Sequence, residues 1–92
     1  MPRIPLESAY LVMWFEERPN DLPIVIGVHI YSEPSPSQLL STPRRFSTVL
    51  WEVKAASFAQ AQREMLEALP HEPWLRWTIP FLTRPLPRRG SE

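Results

Sequence analysis

The side chains able to carry acid–base or metal chemistry are few in this chain, and their spacing is unfavourable. Only two histidines occur, His29 and His71. Two imidazoles need carboxylates or thiolates to complete a zinc site, and no His-Glu-x-x-His or comparable spacing supplies them. His71 falls where a helix ends, and an imidazole there simply complements the helix dipole. Glu16 and Glu17 are adjacent within a strand, so they point to opposite faces and cannot flank one bond as a carboxylate pair. Two glycines, Gly27 and Gly90, cannot build a phosphate-cradling loop. No serine sits in a Gly-x-Ser-x-Gly elbow. The absence of cysteine removes disulfide scaffolds, thiol catalysis and iron–sulfur sites. The expectation is a non-enzymatic protein with no catalytic residues, no cofactor and no metal. A small-molecule or enzymatic role would rest on His29 alone.

Composition narrows the remaining classes. Ninety-two residues suffice for one domain. A 43% apolar fraction is ordinary for a folded chain. Ten basic and ten acidic residues give a formal charge of zero, whereas a protein that coats DNA is strongly basic. Nothing approaches the roughly 20 apolar residues needed to cross a bilayer, and the apolar run from Ala9 to Phe15 is too short for an export signal. No membrane partner and a cytoplasmic location are expected. The twelve prolines cluster between apolar segments and punctuate the elements. Residues 1–83 read as a single α+β domain, and residues 84–92 as a flexible basic tail.

Four segments read as strands. Residues 8–17 are apolar on both alternating faces, which suits a central strand covered on both sides. Residues 23–32 place Ile24, Ile26, Val28 and Ile30 on the core side, with Val25, Gly27, His29 and Tyr31 opposite. Gly27 inside a strand signals a bulge or a close backbone approach. Residues 46–54 place Val49, Trp51 and Val53 on one face and Thr48, Leu50 and Glu52 on the other. A helix follows from about Ser57 to Leu69, capped by Ser57 with Gln60 in a capping box and striped by Phe58, Ala61, Met65 and Leu69. Residues 74–82 read as a last strand with Leu75, Trp77, Ile79 and Phe81 toward the core. Pro80 assigns that strand to an edge. The fold expected is α+β, a single four-stranded mixed sheet (β-β-β-α-β) with one helix packed on one face. The helical crossover makes the last two strands parallel. The sheet order expected is 4-1-2-3, with 1-2-3-4 as the alternative.

One helix covers one side of such a sheet, so the other side presents side chains outward. That candidate interaction face comprises His29, Tyr31, Leu50, Glu52, Trp74 and Arg76. Unless residues 33–45, with Leu39 and Leu40, fold over it, an aromatic face of this kind is a contact surface. The function expected is a protein-interaction module that binds a second copy of itself or another chain. The alternative is a single-stranded nucleic-acid binder that stacks bases on the aromatics and meets phosphates with Arg44, Arg45, Arg84, Arg88 and Arg89. Basic groups gathered around the aromatics would favour the alternative.

Overall fold

In the computed structural model, residues 5–34 and 44–82 are described. Three strands form the sheet: β1 (Glu7–Glu16), β2 (Ile24–Tyr31) and β3 (Arg45–Ala55). Their order is β2-β1-β3, and both pairings are antiparallel. β1 takes the centre, where its two apolar rows are both put to use. Between β1 and β2 the chain turns with Asn20 at a φ of 58°, a left-handed position that asparagine tolerates better than most residues.

Helix α1 (Phe58–Ala68) follows β3 directly. Ser57 caps it, its Oγ accepting from the Gln60 N–H at 3.1 Å. The reciprocal half of the expected capping box is absent. The Gln60 side chain donates instead to Glu64, one turn on, at 2.9 Å. The Glu7 carboxylate accepts from the Phe58 N–H at 2.7 Å, so β1 supplies a second acceptor to the helix start. Ala61 and Met65 are fully buried against the sheet. Pro70 then opens a 3-10 turn, Leu69–His71, that ends the helix.

The expected four-stranded mixed sheet is overturned by residues 74–82. They form a 3-10 turn, Arg76–Thr78, running into the short helix α2 (Ile79–Leu82). Among the described residues there is no parallel pair, and neither expected sheet order survives. The apolar residues of this segment fit two periods. Read at period two, Leu75, Trp77, Ile79 and Phe81 share a face; read at helical spacing, Leu75, Thr78, Ile79 and Leu82 do. The structure follows the second: Leu75 and Thr78 are buried, while Trp77 is 44% exposed. The Thr78 hydroxyl donates to the Leu75 carbonyl at 2.7 Å, so the one buried polar side chain in the described core is satisfied. Pro80 falls in the first turn of α2, where its fixed φ suits a helical start.

The helical layer spans the sheet. α1 packs on β1 and β3, and α2 packs on β2. Beneath it lies the main core of Ala9, Leu11, Val28, Ala55, Ala61, Met65, Leu69 and Leu75. Two β-bulges decide which strand residues join that core. In β2 the register shifts opposite Trp14 and Phe15, leaving Ile26 unpaired between Gly27 and Val25. In β3 it shifts opposite Leu11 and Val12, leaving Leu50 unpaired between Trp51 and Val49. Each bulge moves the residues beyond it to the opposite face from the one simple alternation assigns. Val25 and Leu50 therefore pack on the helix-side core. Ile26 packs on the other side of the sheet instead, and Val49 pairs with Val12 there.

Candidate functional site

The six residues expected on one face are divided among three places. Three of them, His29, Tyr31 and Glu52, do lie on the sheet face away from α1. Cross-strand pairs fix this: Tyr31 and Glu52 stand on either side of Tyr10, and His29 stands beside Val12. Leu50 is corrected to the helix side by its bulge. Trp74 and Arg76 belong to no strand; they sit in the turns that lead to α2.

The sheet face away from the helices holds a second apolar nucleus. Val12 and Trp14 are fully buried there, packed by Tyr10, Ile26 and Tyr31. Gly27 pairs directly with Trp14, and its missing side chain leaves room beside the indole. The Trp14 Nε1–H donates to the Tyr31 hydroxyl at 3.0 Å. The His29 and Tyr31 rings lie 5.5 Å apart, tilted by 50°. Around this nucleus the polar groups pair with one another. The Ser8 hydroxyl donates to Glu52 at 2.7 Å. That bond, with smaller help from Tyr10 and Lys54, holds the Glu52 carboxyl below its ordinary range.

Tyr31 is shifted in the opposite sense. Burial raises its hydroxyl pKa, and the Trp14 hydrogen bond only partly offsets this. The unfolded chain therefore ionises Tyr31 first. The stabilisation is complete below pH ~10 and is lost as pH rises through the higher folded value. We expect Tyr31→Phe to flatten the alkaline end of a stability-against-pH curve measured by urea unfolding. An unchanged slope above pH 10 would assign the alkaline loss to other groups.

The two most exposed aromatics lie elsewhere. Trp74 is 58% exposed and Trp77 44%. They are three residues apart on the outer side of a turn whose inner side is anchored by Leu75 and Thr78. The Trp77 Nε1–H donates to the Trp74 carbonyl at 3.0 Å, and the Trp77 ring meets Phe81 edge to face with centroids 6.0 Å apart. Trp77 is thus held in place while much of its indole faces water, and Arg76 is exposed between the two tryptophans. Sequence reasoning placed Trp77 in the core. Helical spacing across 74–82 carries the signal that puts it outside.

Of the five arginines expected to meet phosphates, the two described ones, Arg44 and Arg45, lie beside Glu17 and Glu16. Arg45 faces Glu16 with Nε 3.8 Å from Oε1, beyond hydrogen-bonding distance, so this buried Nε has no hydrogen-bond partner among the described residues. Arg44 borders a cleft shared with Glu17, Arg18, Pro19, Asp21 and Pro23, where Arg18 pairs with Asp21 at 3.0 Å. Arg84, Arg88 and Arg89 lie outside the described residues, as do Leu39, Leu40 and the tail 84–92. Among the described residues no group of three or more histidine and carboxylate side chains could hold a metal ion, and no helix is long and apolar enough to cross a membrane. Compared with known protein families, curated proteins and solved structures, the chain matches none of them.

Proposed function

We propose that the chain is a non-enzymatic protein-interaction module whose contact surface is centred on Trp74, Arg76 and Trp77. The observation that carries this reading is the exposure of both indoles, 58% and 44%, on a segment anchored by the buried Leu75 and Thr78. Trp and Arg dominate the energetics of protein contacts, and a ring already fixed by packing loses little freedom on binding. The sheet face away from the helices contributes less, because Val12 and Trp14 are already out of contact with water.

The nucleic-acid reading keeps one supporting observation: an exposed arginine between two exposed indoles could meet a phosphate while the rings stack on bases. Charge weighs against it. Residues 5–34 and 44–82 hold six Lys and Arg against nine Asp and Glu, so the described body is acidic. Affinity capture with the wild-type chain and with Trp74→Glu, Trp77→Ala and Arg76→Glu variants, all checked for folding, tests the proposal. Proteins retained by the wild type and lost together from the variants support it. Identical recovery from all four overturns it. Salt-sensitive binding of a labelled single-stranded oligonucleotide below ~100 µM, lost in the same variants, would transfer the surface to nucleic acid.

A further inference from the structure

A second surface of the molecule is an open sheet edge. β3 lies at the margin of the sheet, and among the described residues its outer side has no partner strand. The β2 margin differs: α2 packs on that strand. β3 is 11 residues long, contains no proline, and is rich in Val, Thr and aromatic residues, the types favoured in strands. A long edge of this kind is a template for another strand.

The hydrogen-bond pattern identifies which β3 groups face outward. The Glu17 N–H donates to the Arg44 carbonyl at 2.8 Å, which makes the neighbouring Glu16–Arg45 pair a non-hydrogen-bonded one. Counting up the ladder through the bulge, Trp51 and Val53 bond to β1, while the backbone groups of Glu52 and Lys54 point away from it. Both side chains are exposed, and both lie on the sheet face away from α1.

We propose that this edge pairs antiparallel with the same edge of a second copy, about a two-fold axis at Val53. Charge complementarity and register agree on that alignment. With Val53 opposite its own counterpart, Glu52 stands opposite Lys54 of the other copy, and Lys54 opposite Glu52. The outward backbone groups of the same two residues then form the new ladder bonds. Side chains opposite one another share a face, so Trp51 meets Ala55 on the helix side. The strand spacing of ~4.8 Å brings the two α1 helices, each seated over β1 and β3, to roughly 10 Å apart. That is an ordinary packing distance, so the helices extend the contact beyond five strand residues. The contact is separate from the Trp74–Trp77 surface and leaves it free.

Sedimentation equilibrium of the full chain between ~10 and ~500 µM tests the pairing. The wild type is expected to dimerise. Glu52→Lys and Lys54→Glu each set like charges opposite one another twice, and each should raise the dimer dissociation constant at least tenfold. An equimolar mixture of these two variants restores both opposite-charge pairs and should form a heterodimer. The double variant Glu52→Lys/Lys54→Glu should dimerise as the wild type does. Circular dichroism melts confirm that each variant is folded; for any that is not, the double variant alone decides. A monomeric wild type at ~500 µM overturns the proposal. So do charge variants that dimerise normally, a mixture that stays monomeric, or a dimer dissociated by Trp74→Glu. Loss of partner capture by the Trp74 and Trp77 variants with the dimer intact would separate the two surfaces.

Discussion

Trp14→Ala is expected to leave the chain unfolded, or close to it, at ordinary temperatures. Trp14 is fully buried at the centre of the sheet, and its indole N–H is bonded to Tyr31. Truncating a buried tryptophan costs about 3–5 kcal/mol, through lost transfer free energy and the cavity left behind. Stripping the Tyr31 hydroxyl of its partner adds about 1 kcal/mol. A domain of this size holds roughly 5–10 kcal/mol in total, so the variant loses half or more of its stability. Thermal unfolding followed by far-ultraviolet circular dichroism should show the midpoint falling by at least ~15 °C, or no cooperative transition. A variant melting within a few degrees of the wild type would mean that the nucleus of Val12 and Trp14 is not tightly packed. Trp14→Phe keeps most of the volume and should recover a large part of the loss.

The second large effect is a contrast between neighbours. Leu75→Ala should cost about 2–4 kcal/mol, because Leu75 is 1% exposed in the main core. Trp77→Ala should cost about 1 kcal/mol, although tryptophan is much the larger residue, because its ring is 44% exposed. Urea midpoints of the two variants decide. A strand through this segment would make Trp77→Ala the more damaging change, so the order of the two midpoints distinguishes the helical turn from the strand.

That contrast marks where local pattern was insufficient. The first three strands are legible from runs rich in aromatic and branched residues, and the helix from its apolar stripe and the Ser57 cap. Residues 74–82 carry two, since Leu75 and Ile79 lie inward under either. Trp77 and Phe81 stand against Thr78 and Leu82, but Phe81 and Leu82 both pack on the core, so the difference rests on Trp77 and Thr78; burying the small Thr78 beneath an outward Trp77 runs against simple hydrophobicity. Tertiary packing of the turn against β2 settles it. The bulges were harder to read. Gly27 signalled the first, and the structure places that bulge at the adjacent Ile26. Nothing local marks Leu50, because a bulge in β3 is defined by its pairing with β1 rather than by its own residue type. The misassigned faces of Leu50 and Val49 follow from that one insertion.

The bulges at Ile26 and Leu50 also bear on how this chain can change length. Removing one residue from a regular strand turns every residue beyond it to the wrong face. At these two positions the sense is reversed. Without Leu50, Val49 and Trp51 become sequence neighbours that already occupy opposite faces and already sit beside Val12 and Leu11. Without Ile26, Val25 and Gly27 stand in the same relation to Phe15 and Trp14. A descendant lacking either residue keeps its ladder whole and loses only one side chain's contacts. A deletion elsewhere in the same strands scrambles inside and outside. Within β2 and β3, drift in length is therefore channelled to two places, both opposite the central strand that cannot itself be shortened.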